Sequence, residues 1–192
     1  MPNHFVTIGL CGRDYKRLEA IGKEDYDEID IKPMEGANFC ELVCKLPEEL
    51  EGIVATTPKC RYRNTETGEW SKDCNGPMGD DSEKYEKVEL TASEVSKLEA
   101  KYGAADWFDW QSKNWGTKWG TYGTKVHELD GDGSTLLIEF QTAWGPPTPE
   151  MMRKIDTYLC ETYCLKNIKW MGHDPYDNDT HLIEIADDAS VC

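Results

Sequence analysis

Apolar and polar positions alternate from the start of the chain. In Phe5-Val-Thr-Ile-Gly-Leu-Cys11, Val6, Ile8 and Leu10 are set against Thr7 and Gly9, a pattern that predicts a strand. Asp14 ahead of Tyr15, Leu18 and Ile21 predicts a short helix, and Asp25 to Asp30 an acidic connector. Phe39 to Leu46 places Cys40, Leu42, Cys44 and Leu46 on one face of a second expected strand, which Pro47 ends. From Thr56 to Ser82 the pattern dissolves into Gly, Pro, Asn, Asp and charged residues. A structureless connection of this length is unusual in a compact domain. Residues 55–85 are therefore expected to form an irregular loop or insertion, with a short hairpin around Thr67-Gly68 as its ordered form. Thr91-Ala-Ser-Glu94 reads as a capping box. Val95, Leu98 and Tyr102 follow at helical spacing, and Gly103 reads as the C-cap.

Val126 to Leu129 and Ser134 to Ala143 predict an antiparallel pair that turns at Asp130-Gly-Asp-Gly133. Thr148-Pro149-Glu150 predicts a helix with Pro in its first position, and Met152, Ile155, Tyr158, Leu159 and Tyr163 form its apolar stripe. Lys166 to Met171 and His181 to Ile185 are the expected final strands, joined by a polar Asp/Asn turn. This order implies an α+β fold with an antiparallel sheet, in a single domain spanning 1–192. The acidic end, 187–192, is expected to fray.

Charge changes the picture. The chain carries 37 acidic and 21 basic side chains, a formal net charge of −16. That excludes binding a DNA duplex through a broad basic surface, which needs clustered Lys and Arg. It favours attraction to basic partners. The opening Met1-Pro-Asn-His4 is polar, and no segment approaches the roughly 20 apolar residues that a membrane-spanning helix needs. The expectation is a soluble, intracellular protein with no membrane partner.

Candidate chemistry is sparse. The eight cysteines include no C-x-x-C pair, although Cys40/Cys44 and Cys160/Cys164 share a spacing that puts two thiols on one face. They read foremost as small buried hydrophobes, with a zinc site or disulfides as alternatives. Asp130-Gly-Asp132-Gly-Ser134 looks like the start of a calcium loop, but its twelfth position is Gln141 instead of Glu. Asp174, Asp177 and Asp179 lie among Pro175 and Asn178 and read as a turn. His4, His127, His173 and His181 sit in no metalloprotease-like spacing, and no nucleophile elbow, phosphate loop or dinucleotide fingerprint is present. No catalytic residue, metal ligand or cofactor is predicted.

One segment runs against its surroundings. Between Gln111 and His127 there are three lysines, Lys113, Lys118 and Lys125, and no acidic residue. The same stretch holds Asn114-Trp-Gly-Thr-Lys-Trp119, with Trp107 and Trp110 just upstream and Thr142-Ala-Trp-Gly-Pro-Pro147 downstream. Trp115, Lys118, Trp119 and Trp144 are the candidate binding residues. Such residues fill cores, make protein hot spots, or stack on bases with Lys at a phosphate.

Asn114-Trp-Gly-Thr-Lys-Trp119, followed about 25 residues later by Phe140-Gln-Thr-Ala-Trp-Gly-Pro-Pro147, resembles the YubB-like family of phage and plasmid proteins. The opening Met1-Pro-Asn3, Leu46-Pro-Glu-Glu-Leu50 within Phe39 to Leu50, and the late Trp170-Met-Gly172 are also similar to that family. The Cys- and Gly-rich stretch from Cys60 to Ser82 and the acidic tail depart from it. The resemblance implies a ferredoxin-like fold, an antiparallel sheet with helices packed on one face, and a mobile-genetic-element origin. It brings no reaction and no catalytic residues. With the charge, it leads to the expectation of a non-catalytic acidic binding protein in the host cytoplasm. Its partner would be a host protein with a basic surface, one that handles nucleic acid or defends against phage. The alternatives are a nucleotide or single-stranded nucleic-acid binder using the Trp/Lys segment, and a Cys/His zinc-dependent protein.

Overall fold

The computed structural model describes residues 3–23, 29–130, 134–173, 180–183 and 185, with side chains for all of these except 3–11, 13, 15, 80 and 81. In chain order they form β1 (Asn3–Arg13), α1 (Tyr15–Ala20), α2 (Phe39–Val43), β2 (Cys60–Asn64), β3 (Tyr85–Glu89), α3 (Ala92–Tyr102) and α4 (Trp107–Asn114). Then follow β4 (Tyr122–Glu128), β5 (Thr135–Ala143), α5 (Pro149–Tyr163), β6 (Leu165–Lys166), β7 (Lys169–His173) and β8 (Thr180–Ile183). This is an α+β chain. It divides into two compact units, Met1–Cys44 with Trp115–Cys192, and Lys45–Asn114.

In the first unit β1 lies between β5 and β7 and runs antiparallel to both, in a sheet ordered β4-β5-β1-β7-β8 with β6 adding to β1. Ile8 stands opposite Ile138 on one side and Trp170 on the other. Strand periodicity makes β5 two-faced: Leu136, Ile138, Phe140 and Thr142 are buried, while Leu137, Glu139 and Gln141 are not. On α5, Met151, Met152, Ile155, Leu159 and Tyr163 recur at helical spacing and are all buried. Each large apolar side chain so buried contributes about 1.5–3 kcal/mol. A row of rings joins the layers. Phe39 of α2 meets Phe140 at 6.1 Å, and Phe140 meets Trp170 of β7 at 5.9 Å, both edge-to-face. Trp170 Nε1 then donates to Asp156 Oδ1 of α5 at 2.8 Å.

The local signals that predict β1, α1, the β4–β5 pair, α5, β7 and β8 all correspond to elements here. Asp14 caps α1 through Lys16 N, and Thr148 caps α5 through Met151 N with Pro149 in the first position. The strand expected over Phe39 to Leu46 is a correction: the segment starts with helix α2. Asn38 Oδ1 accepts from Glu41 N and caps the helix. The adjacent residues Phe39 and Cys40 are both 0% exposed while Leu42 is 54% exposed, which a period of two does not allow. The turns at 131–133 and 174–179 and the tail at 187–192 lie outside the described residues. Cys40 and Cys60 are buried free thiols and Cys164 is likewise buried, as expected of small hydrophobes, whereas Cys160 is disulfide-bonded.

The second unit gives order to the stretch expected to be irregular. Within 55–85 lies β2, which pairs with β3 at the end of that stretch, from Cys60↔Glu89 to Asn64↔Tyr85. The other side of β2 is also used: Val54 N donates to Cys60 O, Ser71 N to Tyr62 O and Asn64 N to Glu69 O, each at 2.8 Å. The turn at Thr67-Gly68 is held by Asn64 Oδ1, which accepts from Glu66 N and Thr67 N. The capping box of α3 forms in both directions, and Gly103 ends the helix at φ +72°. Trp107 and Trp110 are core residues of this unit, buried with Leu50, Ile53, Ala104 and Ala105. Helix α4, not anticipated by its sequence, starts where Asp106 Oδ1 accepts from Asp109 N at 2.9 Å. The fully buried Asp106 carboxylate also takes the Lys59 ammonium, which reaches Asp109 at 3.3 Å. Burial works against the Lys59 charge, but its bonds and proximity to Asp106 and Asp109 hold its pKa above the ordinary value.

Two predictions follow from these buried charges. Lys59→Met leaves the Asp106 carboxylate buried and unpaired, so urea denaturation should show a loss of about 3 kcal/mol. A Lys59→Met/Asp106→Asn double variant should recover part of it. Asp156 is the second case. Burial raises its carboxyl from 3.8 to about 6, against the Trp170 N–H that favours the ionised form. The folded state then binds more protons than the unfolded state between those values, so stability from this group falls as pH rises through that window. Asp156→Asn keeps an acceptor for Trp170 and removes the charge. It should stabilise the fold by about 1–2 kcal/mol at pH 7, with the gain vanishing near pH 4. An equal effect at both pH values would show that the carboxyl is not shifted.

Candidate functional site

The loop from Trp115 to Thr124 in the first unit is built around buried anchors. Trp115 is 2% exposed, and its Nε1 donates to Cys44 O at 2.8 Å. Its carbonyl accepts from Thr148 N at 2.9 Å. Gly116 sits at φ +78° against that contact, where a Cβ would come within 2.7 Å of Thr148 N, so glycine is required. The Thr117 hydroxyl accepts from Ala143 N at 3.2 Å and donates to Gly120 O at 3.3 Å. The Thr121 hydroxyl accepts from Phe39 N at 2.7 Å and donates to Ala37 O at 3.3 Å. Thr124 donates to the same carbonyl at 2.6 Å. Asn38 closes the frame, with Nδ2 donating to Trp119 O and Oδ1 accepting from Thr121 N, both at 3.1 Å. Thr117, Thr121 and Thr124 are at most 3% exposed, and all three hydroxyls are bonded.

This frame turns the residues between the anchors outward. Trp119 is 45% exposed and Trp144 is 43% exposed. Lys118 Nζ lies 4.7 Å from the Trp119 ring centroid and 5.4 Å from that of Trp144, a cation held by two indoles. Tyr122 sets its ring edge-to-face with Trp119 at 6.4 Å. Of the four candidate binding residues, the structure therefore brings Lys118, Trp119 and Trp144 together at the surface. It places Trp115 in the core as their support. Trp144 also holds φ +76°, a left-handed conformation that costs a bulky side chain about 1–2 kcal/mol.

Asn38, Thr117, Thr121 and Tyr122 are the site residues that sequence reasoning missed. A signal was available in the repeat Trp115-Gly-Thr117 and Trp119-Gly-Thr121, where each Thr is an anchor.

Other candidate chemistry separates from this patch. Burial pushes the Cys40 thiol up to about 12, so it stays protonated and is neither nucleophile nor ready metal ligand. His127 pairs across strands with Glu139 at 3.0 Å, and both are half-exposed. The Asp130 carboxylate accepts from Ser134 Oγ at 2.6 Å and Thr135 N at 2.7 Å, which draws it down to about 2 and ties it to the start of β5. Among the described residues no three His, Cys, Asp or Glu side chains are grouped to hold a metal ion, and no helix is long and apolar enough to cross a membrane.

Comparison of the chain with protein-family models, curated proteins and solved structures finds no match in any of the three.

The strain at Trp144 makes a stability test of function. Trp144→Asn, which tolerates the left-handed conformation, should keep or raise the melting temperature, by about 2–4 °C if about 1 kcal/mol is relieved. A fall of more than that would show the indole to be a prop of the fold.

Proposed function

We propose that this chain is a non-catalytic acidic binding protein that docks on a host protein through Lys118, Trp119 and Trp144. The observation that carries the reading is the pairing of two half-exposed indoles on one lysine, on a loop whose buried threonines are fully bonded. Rigid aromatic side chains of this kind lose little entropy on contact and serve as interface hot spots. The charge of −16 supplies the other half of the mechanism. It steers a basic surface toward the chain, whose carboxylates then meet the partner's Lys and Arg.

The resemblance to YubB-like proteins extends the proposal to a phage or plasmid protein in the host cytoplasm. Its target would handle nucleic acid or defend against foreign DNA, with the acidic surface standing in for nucleic acid. The strand order β7-β1-β5-β4, all antiparallel, with α5 between β5 and β7 in sequence, supports a ferredoxin-like arrangement. A second reading has one observation in its favour: an ammonium between two indoles suits a phosphate beside a stacked base, as in a nucleotide or single-stranded nucleic-acid site.

Pull-down of host lysate with the tagged chain, read by mass spectrometry, tests the first reading. One dominant partner should be captured at low salt, and released at about 0.5–1 M salt, where surface charge is screened. A Trp119→Ala/Trp144→Ala variant should lose it. Capture of nothing, or of proteins indifferent to salt and to both substitutions, would sink the proposal. Quenching of tryptophan fluorescence by a single-stranded oligonucleotide, abolished by Lys118→Ala, would move the function to the second reading.

A further inference from the structure

The unit Lys45–Asn114 contains a second surface that the patch does not use. A groove of about 270 Å³ is lined by Arg61, Trp70, Val88, Leu90 and Leu98. Trp70 is 48% exposed, and helix α3 beside it fully buries none of its side chains. Its apolar stripe, Val95, Leu98 and Tyr102, stays half-exposed along its length. An amphipathic helix normally hides such a stripe. The Arg61 guanidinium also has an unmet bond: Nη2 donates to Glu49 O, while Nε–H is buried with no acceptor.

The strand edge beside the groove is open. Leu90 N donates to Lys59 O at 2.9 Å and Thr65 N to Lys84 O at 2.8 Å. Alternate residues of an antiparallel strand turn their N–H and C=O to the partner. Glu86 and Val88 therefore face β2, and Tyr85, Lys87 and Glu89 turn their backbone groups away from it. Among the described residues no strand pairs with that edge.

We infer that this groove and the β3 edge together receive an extended segment of a basic protein, with one apolar side chain seated among Trp70, Val88, Leu90 and Leu98. Three features select that occupant. The volume lies below the roughly 300–1,000 Å³ of small-molecule and cofactor sites and suits one or two side chains. The open edge offers the main-chain bonds of strand addition. Around the groove Glu49, Glu89 and Glu94 stand with Arg61, Lys97 and the Lys101 that binds Glu49, so the attraction for a basic segment comes from the chain as a whole, at −16. Lysines and arginines flanking the apolar anchor complement it. The inference rests on the reading of this chain as an acidic protein that binds a basic one, and assigns that contact a second place.

The test is fluorescence anisotropy of a short labelled peptide, lysines and arginines around a central leucine–phenylalanine pair, titrated with the whole chain at low salt. Binding should weaken roughly tenfold or more in Trp70→Ala and Leu98→Glu, changes at half-exposed positions. Lys87→Pro removes an outward N–H without touching the β2 ladder, and also removes a charge that repels the peptide, yet should weaken binding as well. Replacing the central pair by glycines should have the same effect. The Trp119→Ala/Trp144→Ala variant should bind the peptide as the parent does. No binding, tighter binding of a glutamate version or of free indole acetate, or loss confined to the Trp119/Trp144 variant would each overturn the inference. Failure of the lysate pull-down with this peptide still bound would count against the patch alone. Circular dichroism of each variant separates lost contact from lost fold.

Discussion

The row of rings Phe39, Phe140 and Trp170 is the constraint on which the first unit depends. It crosses from α2 to β5 to β7, and its last member reaches α5 through Asp156. The bond to Asp156 fixes the Trp170 indole, but at the expense of a carboxylate held half out of water. The first unit thus sets a half-buried titratable group against the ring row, where a neutral residue would be the more stable choice.

The seat of α2 in turn positions the surface patch. Asn38 caps that helix and at the same time holds Trp119 O and Thr121 N. Phe39, the next residue, is both a member of the ring row and the donor to Thr121. Core packing and site geometry therefore share two consecutive residues. What the patch presents, two indoles on one ammonium, is held by hydrogen bonds to main chain, of which those of the Thr117 hydroxyl with Gly120 O and Ala143 N are buried.

How much of this was legible in the sequence follows from where each signal lives. The strands β1, β4 and β5, and the helices α3 and α5, rest on alternation, caps and turn residues within a few positions, and were readable. Helix α2 was not, because its cap residue Asn38 is held in place by Thr121, 83 residues away, and the spacing of Cys40, Leu42, Cys44 and Leu46 imitated strand alternation. Helix α4 was hidden for the same kind of reason: the residue that starts it, Asp106, is matched to Lys59, 47 residues distant. In the site, the residue types were legible and their orientations were not. Trp115-Gly-Thr and Trp119-Gly-Thr are the same tripeptide, yet one indole is buried under Cys44 O and the other stands in solvent. Identical local sequence took opposite fates from partners elsewhere in the chain.

The backbone at Trp144 carries a consequence for how this chain would change under selection. A residue in that conformation is one the fold would gladly exchange for asparagine or glycine. A laboratory population screened for heat resistance alone would be expected to discard Trp144 among its first changes. A population required to keep the native partner would retain it, so the two lineages would part at this one codon.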